Sequence, residues 1–524
     1  MKPPSIFNDV IGPVMRGPSS SHSAAAVRIG LIARALMDGA IEDVRVEFDE
    51  TGSLPTTHES QGSDMGLAGG LLGCETSDPR LLDYQNELDR AGIKIRYVYG
   101  SYGDSHPNTY RLTLKNSSET HHLIAVSTGG GMIEVREIDG HPVSIGGDLY
   151  EILVFYKNDT QPAIEQLQNL LPRADLSVKK GGTQNFIHCQ AHAPISADGL
   201  AVLQAAQNVI AVKRLAPVLP VPSPVQSNIP FSTCREMLTY NRHRKMNLAD
   251  LAVQYERGRG AMSRDDVYGK MTDIVAIISE SIQQGLKGTI FPDRILGCQS
   301  GRFRQDLESG RLLEAGILNR AILYVTCLME VKSSLGVIVA APTAGSCGAL
   351  PGTVLAAAEA VHCSAKETAA ALLAAGMIGV FITGAATFAA EVGGCQAECG
   401  AGSGMAAAAL VQLMGGSAET AVAAASMALQ NIFGMVCDPV ANRVEVPCLG
   451  KNVMAAGNAI ACANMAIAGY DSVIPLDEVI AAMNTVGRSI PSELRCTGRG
   501  GLSVTQTSLS LKKRLYESKQ GNLS

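Results

Sequence analysis

Tryptophan is absent from these 524 residues, and aromatic residues make up only 4% of them. Large aromatic cores are therefore excluded, and the interior must be closed by aliphatic and small side chains. Basic runs are also lacking. The formal charge is −6 and the pI about 6.0, which gives no footing for nucleic-acid binding or for a membrane-surface patch. A repeated short cysteine spacing is missing: the 13 cysteines are odd in number and scattered, unlike a zinc ribbon or a secreted disulfide scaffold. Mostly buried thiols in a reducing, cytoplasmic setting fit better. The opening Met1-Lys2-Pro3-Pro4 has no apolar core of a signal peptide, so none is expected. Ser127-Thr128-Gly129-Gly130-Gly131 lacks both the Lys-Ser/Thr of a P-loop and the GxGxxG spacing. No lysine stands in a recognisable pyridoxal-phosphate motif.

What is abundant is glycine, with 54 residues, and alanine, which is dense after residue 340. Both point to helices packed closely through small side chains. Thr368 to Ala390 carries no charged residue and is long enough to span a bilayer, but a buried helix in a large α-domain is the expectation.

The order of patterns predicts an α+β multi-domain chain. Residues 1–149 read as an α/β domain, with a helix over 24–37 and strands at 44–48, 110–114 and 123–126. Residues 150–216 alternate as βαββαβ, the order of a ferredoxin-like, ACT-type domain, with effector binding and a spacer or dimerisation role both open. Prolines 217, 220, 222, 224 and 230 mark a linker over 217–231. Residues 232–524 read as a mostly α-helical domain.

Gly17-Pro18-Ser19-Ser20-Ser21-His22 stands at a helix start, either as an N-cap turn or as an anion site built from hydroxyls and free amides. His58 reads as a surface-loop histidine. Pro107 and Asn108 suit a turn or a substrate contact equally. Ala341-Pro342-Thr343-Ala344-Gly345-Ser346 ends an apolar run before an Ala-rich helix and offers amides, Thr343 and Ser346 to a ligand. Arg495 and Arg499, in a glycine-rich tail, suit either a carboxylate or the surface.

The stretch that organises these observations runs from Glu391 to Cys448. Cys395, Cys437 and Cys448 lie 42 and 11 residues apart among small and apolar residues. That spacing is too wide for a zinc knuckle and suits a cluster held between helices by separate loops. Three thiolates for four irons leave one iron open as a Lewis acid. Cys347 and Cys399 are the competing ligands in sequence.

Glu391-Val392-Gly393-Gly394-Cys395, Cys437-Asp438-Pro439-Val440 and Val446-Pro447-Cys448 resemble the iron–sulfur-dependent L-serine dehydratases (L-serine ammonia-lyases), in a single-chain form with fused small and large domains. The resemblance extends over most of the chain. It implies a 4Fe–4S cluster on Cys395, Cys437 and Cys448, a lyase converting L-serine to pyruvate and ammonia, and a homodimer. It also implies catalytic roles for Ser20, His22, Gln61 and Ser63, and substrate contacts from Ser19, Ser21, Asp64, Asn108, Thr343 and Ser346. Three departures stand out. Gly393-Gly394 has one glycine more than the family pattern, Gln61 replaces a family histidine, and Ala344 replaces an asparagine. The chain ends in Ser524, where some members carry a terminal cysteine. Alternatives are the same chemistry on threonine or cysteine, or a non-catalytic iron–sulfur sensor.

Overall fold

The computed structural model describes residues 3–260 and 262–521. It is a mixed α+β architecture of two compact units. One comprises Met1–Ser21, Glu59–Gly62 and Ser227–Ser524; the other comprises His22–His58 and Ser63–Gln226.

The second unit is built on two sheets. In the six-stranded sheet the order is 94–100, 43–49, 109–115, 120–129, 132–138, 141–145. The first pair is parallel and the others antiparallel. Alternation explains its two faces. Val44, Val46 and Phe48, with Tyr110, Leu112 and Leu114, point into one core, each worth roughly 1.5–3 kcal/mol of burial. The glycine run, which lacked the phosphate-loop patterns, closes a hairpin: Gly130 and Gly131, at φ 62° and 90°, lie between strands Thr120–Gly129 and Met132–Ile138.

Helices Ala25–Leu36 and Ser63–Leu71 pack backbone to backbone on this core. A Cβ on Gly66 would stand 2.2 Å from the Ser23 carbonyl oxygen, so only glycine allows that approach.

The four-stranded sheet follows the predicted βαββαβ order. Its strands lie side by side as 209–215, 150–156, 186–191, 175–179, all antiparallel. Strand Tyr150–Tyr156 reads as a continuous apolar run because both its faces are covered. Ile152, Val154 and Tyr156 meet Ala163, Leu167 and Leu203 of the two helices, while Leu153 and Phe155 join the larger core.

The first unit is helical. Alanine, the best helix former, fills Ala349–Ala360, Ala365–Ala385 and Cys399–Leu413. Ser364 and Glu367 form a capping box at the start of the second of these. Ala365–Ala385 is long and apolar enough to cross a membrane, yet 78% of its apolar window is buried inside the fold. It packs on helices Leu248–Arg259, Arg264–Lys287 and Cys399–Leu413.

The segment before Ser21 belongs to this helical unit. Strand Val14–Arg16 pairs antiparallel with Val337–Val339, and the turn Ile6–Val10 packs on Ala365–Ala385. The alternation of residues 1–20 held no sign of this, because the partner strand lies over 300 residues away.

Glu256 anchors that segment. Its carboxylate accepts hydrogen bonds from Ile6 N at 2.5 Å and Ser5 Oγ at 3.4 Å. Burial pushes its pKa from 4.5 up to about 7, against a smaller opposing effect of Arg259. A carboxyl with a raised pKa supports the fold while protonated. That support is complete below the unfolded value and is lost as pH rises through about 7. Glu256→Gln keeps an acceptor without a charge. Its stability relative to the parent should therefore rise by roughly 3 kcal/mol between about pH 4.5 and 7.5. Urea midpoints at the two pH values check this, and a flat difference refutes it.

Candidate active site

Four cysteines converge in the helical unit. Cys395 follows Gly394 in a short turn fixed by its neighbour. The Gln396 amide donates to Met483 O at 2.6 Å and accepts from Gly434 N at 2.8 Å. Cys437 lies in extended backbone, donating from N to Leu494 O and accepting at O from Cys496 N, both at 2.8 Å. Cys448 opens helix Cys448–Ile467. Cys395, Cys437 and Cys496 share one buried cluster.

The ligand atoms of Cys395, Glu398 and Cys437 lie within 4.8 Å of one another. Cys448 and Cys496 stand outside that tight trio but wall the same cavity as Cys437. Hydrogen bonding with Cys395 and Cys496, then burial, holds the Cys437 thiol well above the usual range. Burial, then the Cys395 sulfur, raises Cys448. Lys451, one turn after Cys448, donates to Asp438 Oδ1 at 3.0 Å and Val436 O at 2.6 Å. Burial works against its ammonium, but the Cys395 sulfur and Asp438 outweigh this and raise its pKa. The sequence shows no cation beside the first two cysteines; Lys332 and Lys451 both act on Cys448, and the i+3 spacing of Lys451 from Cys448 was the available signal.

The cavity is polar on its other side. Ser19, Ser21 and Gln61 line it with Glu391 and Glu398. Ser21 Oγ donates to Glu391 Oε1 at 3.0 Å and meets Ser19 Oγ at 3.3 Å. Ser20 Oγ accepts from Ala344 N at 3.1 Å. Gln61 Nε2 points to Asn442 O at 3.5 Å and Cys496 Sγ at 3.9 Å. Thr343 Oγ1 donates to Glu398 Oε1 at 2.7 Å, whereas Ser346 bonds within its own turn to Thr343 and Ala341. Burial, and after it the Glu391 carboxylate, pushes Glu398 up to about 7. Glu398 and Cys496 are the residues that sequence reasoning missed.

Of the competing thiols Cys347 is engaged elsewhere, whereas Cys399 lies beside the site, its pKa raised by burial and then by the Cys395 sulfur. Cys347 meets Met329 Sδ at 3.9 Å, and Cys399 packs with Ala349 and Ala455 while pointing to Gly345 O at 3.8 Å. Arg495 donates to Val392 O at 3.1 Å.

His22, His58, Ser63, Asp64 and Asn108 lie in the other unit. His22 is fully buried, with Nε2 2.9 Å from Thr57 Oγ1. Tyr110 OH donates to Ser63 Oγ at 2.9 Å. Asp64 Oδ1 meets His58 Nδ1 at 2.6 Å, and His58 Nε2 meets Tyr99 OH at 2.7 Å. His58 is thus no surface-loop residue: it sits on helix Leu54–Gln61, 4% exposed, stacked on Tyr97. Tyr97 and Tyr99 cover it from a strand some 40 residues later, which a local pattern cannot reveal.

Asn108 and Ser127 oppose each other at the end of the sheet, with Ser127 N donating to Asn108 O at 3.1 Å. Both are buried, and neither the Asn108 amide nor the Ser127 hydroxyl has a hydrogen-bond partner among the described residues. Leaving a buried hydroxyl unpaired costs about 1–3 kcal/mol. Ser127→Ala should therefore raise the urea midpoint, with a gain of about 1 kcal/mol; an unchanged or lower midpoint refutes it.

The family model "Serine dehydratase alpha chain" matches residues 243–503. The chain is 35% identical over 286 residues to the "Probable L-serine dehydratase, alpha chain" of Bacillus subtilis, covering 55% of this chain and 95% of that protein. It is 37% identical over 178 residues to the beta chain of the same organism, covering 34% of this chain and 79% of that one. It is 26% identical over 497 residues to the "L-serine dehydratase" of Streptomyces coelicolor, covering 93% and 96%. With a cysteine-walled cavity in the matched region and an alpha chain matched over nearly its full length, this chain belongs to the L-serine dehydratase family.

Proposed function

We propose that the chain is an L-serine ammonia-lyase, converting L-serine to pyruvate and ammonia, and that Cys395, Cys437 and Cys448 hold a 4Fe–4S cluster. The observation that carries this reading is the convergence of buried thiols and Glu398 on one polar cavity. The donor set fits the group. Crowded thiols whose ionisation each opposes the others become thiolates once a cationic centre lies among them.

When bound, the cluster supplies a Lewis acid that draws electron density from the substrate β-hydroxyl. The chain's own groups do the rest. Ser19 and Ser21 hydroxyls and the Gln61 amide orient the amino acid through its carboxylate. Glu398, poised near neutrality, takes the α-proton, and the same carboxyl returns it to the departing hydroxyl, which leaves as water. Aminoacrylate tautomerises to the imine, and water hydrolyses it to pyruvate and ammonia. Thr343 steadies Glu398 for this proton transfer. Ser20 fixes the Ala344 turn.

The strand order of the four-stranded sheet supports reading residues 150–216 as a ferredoxin-like, ACT-type domain, with 1–149, the linker 217–231 and 232–524 as the other segments. Free cysteines throughout the described residues support a cytoplasmic setting. A homodimer follows from the family likeness.

The test is anaerobic purification. The protein should be brown, contain iron and sulfide, and release pyruvate from L-serine faster than from L-threonine or L-cysteine. A colourless protein with full activity overturns the cluster, and a brown protein without turnover overturns the lyase in favour of a sensor.

A further inference from the structure

A buried cation of the helical unit has no counter-charge beside it. Lys332, on helix Ile317–Ser333, is fully buried. Its ammonium donates to Val444 O, and no carboxylate stands within ion-pair reach of it among the described residues. Lys213 shows how a buried lysine is otherwise kept: it is 3% exposed, with Asp38 at 2.7 Å and Glu119 at 2.9 Å. An ammonium left buried and unpaired is strongly unfavourable unless an opposite charge joins it.

The groups around Lys332 show where that opposite charge belongs. Burial raises the Cys448 and Cys347 thiols and the Glu398 carboxyl, and Lys332 opposes it at all three. At Cys448 and Glu398 it acts more strongly than Lys451. The charge of Lys451 is already matched, by Asp438 Oδ1 at 3.0 Å. Val444, which Lys332 holds, walls the cavity four residues before Cys448.

Holding Val444 does not require a charge. Its two neighbours fix the same loop: Arg443 donates to Asp293 Oδ1, and the Glu445 carboxylate accepts from Ile295 N at 3.0 Å and Leu296 N at 2.9 Å. A neutral amide would serve the Val444 carbonyl as well. What lysine adds is positive charge beside a cavity that carries Glu391 and Glu398 and gains three thiolates with the cluster. The low dielectric of the interior makes that attraction strong.

We infer that Lys332 is the internal counter-cation of the cluster, balancing the thiolate charge at Cys448 from behind Val444. This rests on the proposed function. Lys332 touches no reacting atom and acts only through the cluster. A fixed positive charge favours the reduced, more negative cluster, so it raises the reduction potential, and its removal lowers it.

The experiment uses the full chain, reconstituted anaerobically with iron and sulfide, beside two variants. Lys332→Met loses charge and donor; Lys332→Gln keeps a donor and loses only the charge. Redox titration followed by EPR reads the one-electron potential. In both variants the equilibrium constant for reduction should fall at least about tenfold, a shift of about 59 mV. A folded Lys332→Gln protein that takes up no iron supports the inference too, since only the charge is gone. Either variant that takes up iron and stays within that margin of the parent overturns it. Failure of both variants to fold overturns it as well, because it assigns Lys332 to the fold alone. A parent that takes up no iron overturns the proposed function itself, which separates the two failures.

Discussion

Replacing Cys437 with alanine should leave a folded protein that holds little iron and releases pyruvate at less than about one hundredth of the parental rate. Changing groups that merely orient metal ligands costs about 10–100-fold in metal affinity or activity, and removing a ligand outright should exceed that. The fold tolerates the change for a local reason. Cys437 holds the Leu494–Cys496 segment through its backbone N and O, and alanine keeps both bonds. Only one buried sulfur is removed, a loss of about 1 kcal/mol by analogy with small core truncations. Far-ultraviolet circular dichroism should be unchanged, while iron content and turnover fall together. Cys347→Ala is the matched control. That thiol is equally buried but meets Met329 Sδ, so iron and turnover should stay near parental. Undiminished pyruvate release from Cys437→Ala would reject the cluster chemistry, and iron loss from Cys347→Ala would move the ligand set.

The contrast between these two cysteines shows what sequence can carry. Cys395, Cys437 and Cys448 were legible because each sits in a local string with its own character, and the helical and strand periodicities around them were strong. Cys496 was not, because its meeting with Cys437 is made by backbone bonds across 59 positions, and no pattern in the tail announces them. Glu398 was hidden differently. An isolated glutamate in an Ala- and Gly-rich stretch has no local mark of function, and its raised pKa arises only when Glu391 and the surrounding helices enclose it. The burial of His58 under Tyr97 and Tyr99, and the pairing of Val14–Arg16 with Val337–Val339, are non-local in the same sense. The middle βαββαβ unit was readable almost to its ends, because each strand pairs only within residues 150–215 and its contacts follow its own alternation.

Gly393 and Gly394 should differ sharply although they are adjacent, and this decides what the additional glycine is for. Gly394 has φ 72° and ψ −177°, a region that is essentially glycine's alone and costs other residues about 1–3 kcal/mol. A Cβ there would also stand 2.7 Å from Met435 O and 2.9 Å from Ile490 Cδ1. The carbonyl is fixed by the bond it accepts from Gln396 N, so the chain must give way at Gly394 and carry Cys395 with it. A displacement of about 1 Å at a reacting centre is enough for a loss of about 10²-fold. Gly394→Ala should therefore lower stability by about 3 kcal/mol, release much of the iron and reduce turnover about a hundredfold. Gly393 ends a short helix, has no positive φ, and its added Cβ would meet the Ala397 methyl at 3.0 Å, a contact that a small shift relieves. Gly393→Ala should keep its iron and turn over within about tenfold of the parent, since steric relief there need not move Cys395 by the 1 Å that matters. Iron per chain, urea midpoint and pyruvate release measured on both variants check the pair. Equal losses in the two would show that small size alone, and not the backbone conformation of Gly394, is what positions Cys395.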